Sequence, residues 1–212
     1  MIMAVSNRTK HLPPTNALNQ MLRNFRYHEF SRQAIGILLV AVYGWFGQPE
    51  PTTFWIGSVI AVIGVVVRMY AAGYVVKNKS LCTDGPYSVV RHPLYTGNTL
   101  LIFGLMIAAN AIWAWPVGLL FFWLFYPTTI SYEDLKLHKL FGEEWERWSA
   151  SIPALVPRSI FPKNNPSNSW SFMKSLKQNI EPAVVLWVAF WIYWLWAKLP
   201  VNTVDELSKV VR

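Results

Sequence analysis

From Phe54 to Val76 the chain runs through an apolar stretch whose only charge is Arg68. About 20 apolar residues cross a hydrocarbon core of roughly 30 Å as a helix. In lipid the backbone of such a stretch must hydrogen-bond within itself, which leaves helix as the only open-chain solution. Four further apolar runs, at about 33–46, 95–109, 113–130 and 182–199, extend the pattern. Of the 212 residues, 53% are hydrophobic and 12 are tryptophan, more than a soluble core of this size calls for. The expected fold is therefore all-α: a polytopic integral membrane protein with about five transmembrane helices.

Arg68 is the exception within its run. An arginine near a helix centre costs about 2.5–3.5 kcal/mol on insertion scales, so it faces protein, a cavity or a route to the interface. It lies too deep for easy snorkelling if the helix ends at Val76. Two readings stay open: a pair with a carboxylate or helix-end carbonyl, or a cavity cation that holds an anion. The second makes Arg68 a candidate substrate contact.

The chain divides into three parts. Residues 1–32 form a basic N-terminal segment, disordered to about residue 15. An interfacial helix is predicted from Asn16 to Arg32, where Leu18, Met21, Leu22 and Phe25 follow helical spacing among arginines. Residues 33–181 form the core, and 182–212 an extra C-terminal helix and tail. Within the core, 131–157 reads as a cytosolic amphipathic helix after the fourth span, with Leu137, Leu140, Phe141, Trp145 and Trp148 largely on one face. Residues 158–177 read as a polar linker.

The net charge of +8 sits beside apolar runs, which points to lipid headgroups and not to nucleic acid. Five Lys and Arg precede residue 34, three fall in 77–94 and seven in 131–181, against none in the 48–53 and 110–112 loops. By the positive-inside rule the N-terminus and both polar segments face the cytosol. A lone Cys82 excludes an internal disulfide, and four scattered histidines show no metal-ligand spacing, so no metal is expected. Residues 1–34 carry no apolar run of the kind a signal peptide needs.

Between the second and third runs lies Asp84-Gly85-Pro86-Tyr87-Ser88-Val89-Val90-Arg91-His92-Pro93-Leu94-Tyr95-Thr96-Gly97. Gly85-Pro86 and His92-Pro93 break regular structure, because proline lacks an N–H and disfavours helical dihedrals before it. Broken backbone beside a membrane persists where protein buries it or where it lines a cavity. A plain surface turn would explain the prolines but not Arg91 and His92 beside Tyr95. With Glu133, Asp134, Trp145, Trp148 and Arg158, this stretch holds nearly all the polar groups. Cations for a carboxylate, acids for an ammonium or ribose, and aromatics for a purine or sulfonium suit S-adenosylmethionine, and equally other nucleotides. The ordinary alternatives are headgroup anchoring by Arg91 and His92, first-turn acids at Glu133-Asp134, and interfacial tryptophans at 145 and 148.

Gly85-Pro86-Tyr87, Arg91-His92-Pro93-Leu94-Tyr95-Thr96-Gly97, Glu133-Asp134 and Phe141-Gly142-Glu143-Glu144-Trp145-Glu146-Arg147-Trp148, in this order, resemble the isoprenylcysteine carboxyl methyltransferase family, whose motifs are shared with phospholipid N-methyltransferases. Arg68 through Lys77-Asn78-Lys79 is similar to a bacterial branch of unassigned substrate. The resemblance, over about Arg68 to Pro157, implies an all-helical multi-pass methyltransferase of the bacterial inner membrane. S-adenosylmethionine would enter from the cytosol and a lipid or prenylated small molecule from the bilayer. By motif position it implies cofactor contacts at Tyr87, His92, Pro93, Tyr95, Gly97, Glu133 and Asp134, catalytic roles for Arg91 and Glu133, and Trp145 beside Arg68 on the substrate side. Three features depart from the family pattern: Asp134 replaces a second Glu, Trp145 and Trp148 replace tyrosines, and Ala154 follows Ile152-Pro153. The implied reaction is carboxyl O-methylation of an isoprenylcysteine-like or lipidic acid. Its alternatives are phospholipid amine N-methylation, an NADPH-dependent membrane reductase and a non-enzymatic lipid-binding protein.

Overall fold

Proline, glycine and side-chain caps set the helix boundaries. The computed structural model describes residues 16–74, 80–162, 170–177 and 180–200. The expected disordered N-terminus, the Lys77-Asn78-Lys79 motif and the C-terminal tail lie outside them. The described residues are helical, with no β-strand: α1 (Ala17–Tyr27), α2 (Glu29–Phe46), α3 (Pro51–Tyr74), α4 (Pro93–Ala108), α5 (Trp115–Phe141), α6 (Glu143–Ser149), α7 (Phe172–Lys177) and α8 (Glu181–Ala197). Single 3-10 turns at Pro86–Ser88 and Ile112–Ala114 complete the set.

The predicted interfacial helix and first span are divided at His28, not at residue 32. The Asn16 side chain caps α1 by accepting from the Asn19 N–H at 2.9 Å. His28 leaves helical dihedrals, and its Nδ1 accepts from the Ser31 N–H at 3.3 Å, so α2 begins three residues before Arg32. At the far end of α2, Lys198 Nζ donates to the carbonyls of Trp45 and Gly47 at 2.7 and 2.8 Å. A cation on terminal carbonyls suits the negative end of the helix dipole, and it ties α8 to α2.

The amphipathic helix predicted after the fourth span is not a separate element. α5 continues unbroken to Phe141, through Pro127, and the break comes at Gly142. There φ is +51°, a conformation glycine adopts without a Cβ penalty, and the next seven residues form α6. The expected linker also contains structure. α7 packs against α3, with Ser175 fully buried and its hydroxyl donating to the Met69 carbonyl at 2.6 Å.

α3 and α4 form the closest pair. A Cβ built on Gly57 would lie 2.1 Å from the Ala108 nitrogen, and one on Gly104 2.5 Å from the Ala61 nitrogen. Small residues let two helix backbones touch, the usual solution where packing rather than water drives association. Around this pair, α2, α5 and α8 contribute a core that includes Val40, Tyr43, Met106, Phe125, Trp191 and Leu195.

Among the described residues, α3 is the one helix long and apolar enough to cross a membrane, with a mean hydropathy of 1.9 over its best window. Phe30–Phe46, α4 and α8 are apolar but shorter.

Candidate functional site

The broken stretch after α3 folds as a tight 3-10 turn. Gly85 has φ +57°, and a Cβ there would meet the Tyr74 ring at 2.4 Å, so both conformation and space call for glycine. Beyond the turn, the Arg91 and His92 N–H groups donate to the carbonyls of Pro153 and Ala154 at 2.8 and 3.0 Å. The Thr96 hydroxyl donates to the Leu155 carbonyl at 2.9 Å. The proline-bounded segment after α6 is thereby tied to the start of α4.

One side-chain cluster sits at this junction. Asp134 accepts from Arg91 NH2 through Oδ2 and bonds His92 Nε2 through Oδ1, both at 2.8 Å. Arg91 NH1 also donates to the carbonyls of Ser149 and Ile152, at 3.2 and 3.1 Å, joining α5, the turn and the end of α6. Burial alone would raise the Asp134 pKa. The His92 hydrogen bond and charge, with Arg91 alongside, outweigh it and hold the carboxyl below its ordinary 3.8. The His92 ring stacks on Tyr95 with centroids 5.6 Å apart.

These groups border a cavity of about 900 Å³ whose lining divides by chemistry into a polar arm and an apolar arm. The polar arm is lined by Tyr87, Arg91, His92, Glu133, Lys136 and Trp148. The other is lined by Gly36, Ile37, Val40, Phe121, Val184 and Trp187, and is apolar. Burial pushes the Tyr87 hydroxyl well above its usual pKa, so it stays protonated. Trp148 Nε1 and Arg91 Nε are buried without a hydrogen-bond partner among the described residues. Such donors cost free energy unless something accepts from them. Among the described residues no three His, Cys, Asp or Glu side chains are grouped to hold a metal ion.

The candidates read from sequence fall in three places. Tyr87, Arg91, His92, Pro93, Tyr95 and Glu133 line the cavity. Asp134 stands behind them: the acid bonded to His92 is Asp134, while Glu133, one helical step of about 100° away, faces the cavity. Gly97 and Trp145 lie elsewhere. A Cβ on Gly97 would meet Arg68 Cγ at 2.6 Å and the Gly64 carbonyl at 2.7 Å, which places it in the α3–α4 contact. Trp145 packs on the His138 ring at 5.3 Å, and the tryptophan that reaches the cavity is Trp148.

Arg68 meets the first of its two readings, a pair with a carboxylate, at a position on the cavity wall. It lines the cavity, and it forms a two-point ion pair with Glu181, Nε to Oε2 at 3.1 Å and NH2 to Oε1 at 2.8 Å. Its third donor reaches Asn98 Oδ1. Glu181 is fully buried. Neither Glu181 nor the α8 wall was marked as part of the site by sequence reasoning. A lone acid at the head of an apolar run, opposite a lone arginine inside another, was the available signal.

Residues 31–144 match the phospholipid methyltransferase family. The chain is 31% identical over 182 residues to the cobalt-zinc-cadmium resistance protein CzcN of Cupriavidus metallidurans, covering 79% of this chain and 81% of that one. It is 34% identical over 140 residues to the nickel-cobalt-cadmium resistance protein NccN of Alcaligenes xylosoxydans xylosoxydans, covering 61% and 64%. A probable protein-S-isoprenylcysteine O-methyltransferase of Oryza sativa subsp. indica is 28% identical over 125 residues, covering 51% of this chain and 65% of its own. No solved structure matches the chain.

Proposed function

Since this chain belongs to the phospholipid methyltransferase family and is a methyltransferase, we propose that it moves a methyl group from S-adenosylmethionine to the acidic head of a lipophilic acceptor. The observation that carries the reading is the single cavity with one polar, aromatic arm and one apolar arm. The polar arm fits the donor. Glu133 lies open to an ammonium or ribose hydroxyls and Lys136 to a carboxylate; neither makes a hydrogen bond or ion pair to another described residue. Trp148 and Tyr87 offer aromatic faces, and the unpartnered Trp148 Nε1 and Arg91 Nε offer donors. When bound, S-adenosylmethionine supplies an electrophilic methyl carbon on a sulfonium sulfur, which departs as a neutral thioether as the acceptor oxygen bonds to that carbon.

The protein's part is alignment, which can supply about 7–11 kcal/mol. Asp134 fixes the His92 ring between itself and Tyr95, and Arg91 locks the segment after α6 over the polar arm. A carboxylate acceptor is already ionised at neutral pH and needs no base. An amine acceptor must first lose a proton. With His92 held by Asp134, Glu133 would be the base for that second reaction. Carboxyl methylation asks less of these residues, and the name of the Oryza relative specifies O-methylation, not N-methylation. The names of the two resistance proteins state a phenotype and no reaction.

We place the chain in the membrane as a multi-pass protein with the polar arm on the cytosolic side. Exposed Leu38, Ile56, Val59, Val62, Leu119 and Leu186 support this, since so much outward apolar surface suits lipid. The basic loops support the orientation.

The test supplies purified protein with methyl-labelled S-adenosylmethionine and either N-acetyl-S-farnesylcysteine or dioleoylphosphatidylethanolamine. Label in a base-labile ester of the acid is expected. Base-stable label in the amine would replace carboxyl with amine methylation. Binding of NADPH, with no transfer and no affinity for S-adenosylhomocysteine, would overturn the proposal.

A further inference from the structure

Of the four arginines and lysines on the cavity wall, two are neutralised by a carboxylate, Arg68 by Glu181 and Arg91 by Asp134, and two are not. Lys136 lies on the polar arm. The other is Arg32, and its partners are neutral. Arg32 NH1 donates to the Thr129 hydroxyl at 2.6 Å, and its guanidinium carbon lies 5.2 Å from the centre of the Tyr95 ring. No carboxylate among the described residues pairs with it. A half-buried guanidinium held only by a hydroxyl and a ring face keeps most of its five donors and its full charge for a ligand.

Its position is as specific as its lack of a counter-charge. On α2 the wall runs from Arg32 and Gln33 to Gly36, Ile37 and Val40, successive positions of one helix face. On α4 Tyr95 stands between His92 and the apolar Leu101 and Ile102. On α5 Thr129, itself outside the lining, falls between the lining residues Tyr126 and Glu133. The three meet in the Arg32–Tyr95–Thr129 contact, so Arg32 stands against the Tyr95 ring that stacks on His92, and one helical turn before Gly36 and Ile37 of the lining.

We propose that Arg32 is the anion-binding residue for the methyl acceptor. It receives the carboxylate or phosphate head of an amphiphile whose tail lies between α2 and α8, against Ile37, Val40, Val184 and Trp187. This rests on the reading above that the apolar arm takes the acceptor. It adds the recognising residue, and it commits the acceptor to a single anionic head at Arg32, beside Tyr95 and His92.

The experiment is calorimetric titration of full-length protein in detergent with N-acetyl-S-farnesylcysteine, its methyl ester, dioleoylphosphatidic acid and dioleoylglycerol. The wild type should bind at least one acid about tenfold or more tightly than its uncharged counterpart. Arg32→Leu should erase that preference, and Arg32→Lys should keep part of it, since the charge stays but the planar fork is lost. Arg32→Gln gives a second, polar neutral variant, and retained S-adenosylhomocysteine binding reports that each variant is folded. A preference for the farnesylated acid assigns a carboxylate head, and one for phosphatidic acid a phosphate head. No preference in the wild type, or an undiminished one in Arg32→Leu and Arg32→Gln, overturns the proposal. Failure of the wild type to bind S-adenosylhomocysteine would instead overturn the donor reading and leave the lipid comparison readable.

Discussion

Asp134 and Glu133 are neighbours on α5 with different tasks: one holds His92 and Arg91 from behind, the other faces the cavity. Because the Asp134 carboxyl is held below its ordinary pKa, its contribution to stability is present above the unfolded value of about 3.9 and is lost as pH falls through the lowered folded value. Asp134→Asn should therefore cost about 1.5–3 kcal/mol near neutrality, the range for hydrogen bonds to charged groups. It should also flatten the loss of stability as pH falls below about 4. Thermal melts of both proteins across pH 2–7 check this; equal acid slopes would contradict it. The acidic pair was legible in the sequence, as was the Arg91-His92 stretch. Which acid would meet His92 was not, because that depends on the rotation of α5 about its axis, and a step of about 100° decides it. The same limit applies to the tryptophans. Trp145 and Trp148 are three residues apart on α6, and only the packing of that short helix sends one to the cavity and the other to His138.

Helices α3 and α8 are pinned by one buried ion pair, Arg68 with Glu181, which lie 113 residues apart in the chain. Removing one partner strands the other without compensation, which typically costs 3–5 kcal/mol, whereas replacing both by apolar groups is often neutral or better. Arg68→Leu should thus melt well below the wild type in detergent, and Arg68→Leu with Glu181→Leu should recover most of the loss. A double variant as unstable as the single one would show that the pair is not what Arg68 contributes. The sequence marked Arg68 as needing a partner, but pattern and propensity are local and cannot name one so distant. Element ends were misread for a related reason. At Ser131 the composition turns polar, which points to the end of a span, yet α5 runs on as one helix to Phe141. Its backbone is interrupted only where Gly142 adopts a positive φ. Two helix starts lie ahead of the apolar runs at Phe54 and Tyr95: α3 begins at Pro51 and α4 at Pro93, because proline at a first helical position lacks an N–H that has no partner there anyway.

At the scale of the whole molecule, the close α3–α4 pair forms a rigid spine, and α2, α5 and α8 gather around it to leave a cavity with two characters. The helical class and the two polar segments that meet at the cavity were readable from apolar runs and motif order. The apolar arm was not, because its wall combines α2 with α8, and neither carries a motif. The central claim is that the polar arm holds the methyl donor between the start of α4 and the polar end of α5. Calorimetric titration of S-adenosylhomocysteine into full-length wild type, His92→Ala, Glu133→Ala and Trp145→Ala tests it most directly. Loss of one partner in a charge-assisted contact costs roughly 1–3 kcal/mol. His92→Ala and Glu133→Ala should therefore each bind about five- to a hundred-fold more weakly, with Trp145→Ala, off the cavity, unchanged. Wild-type affinity in both the His92 and Glu133 variants would contradict the account.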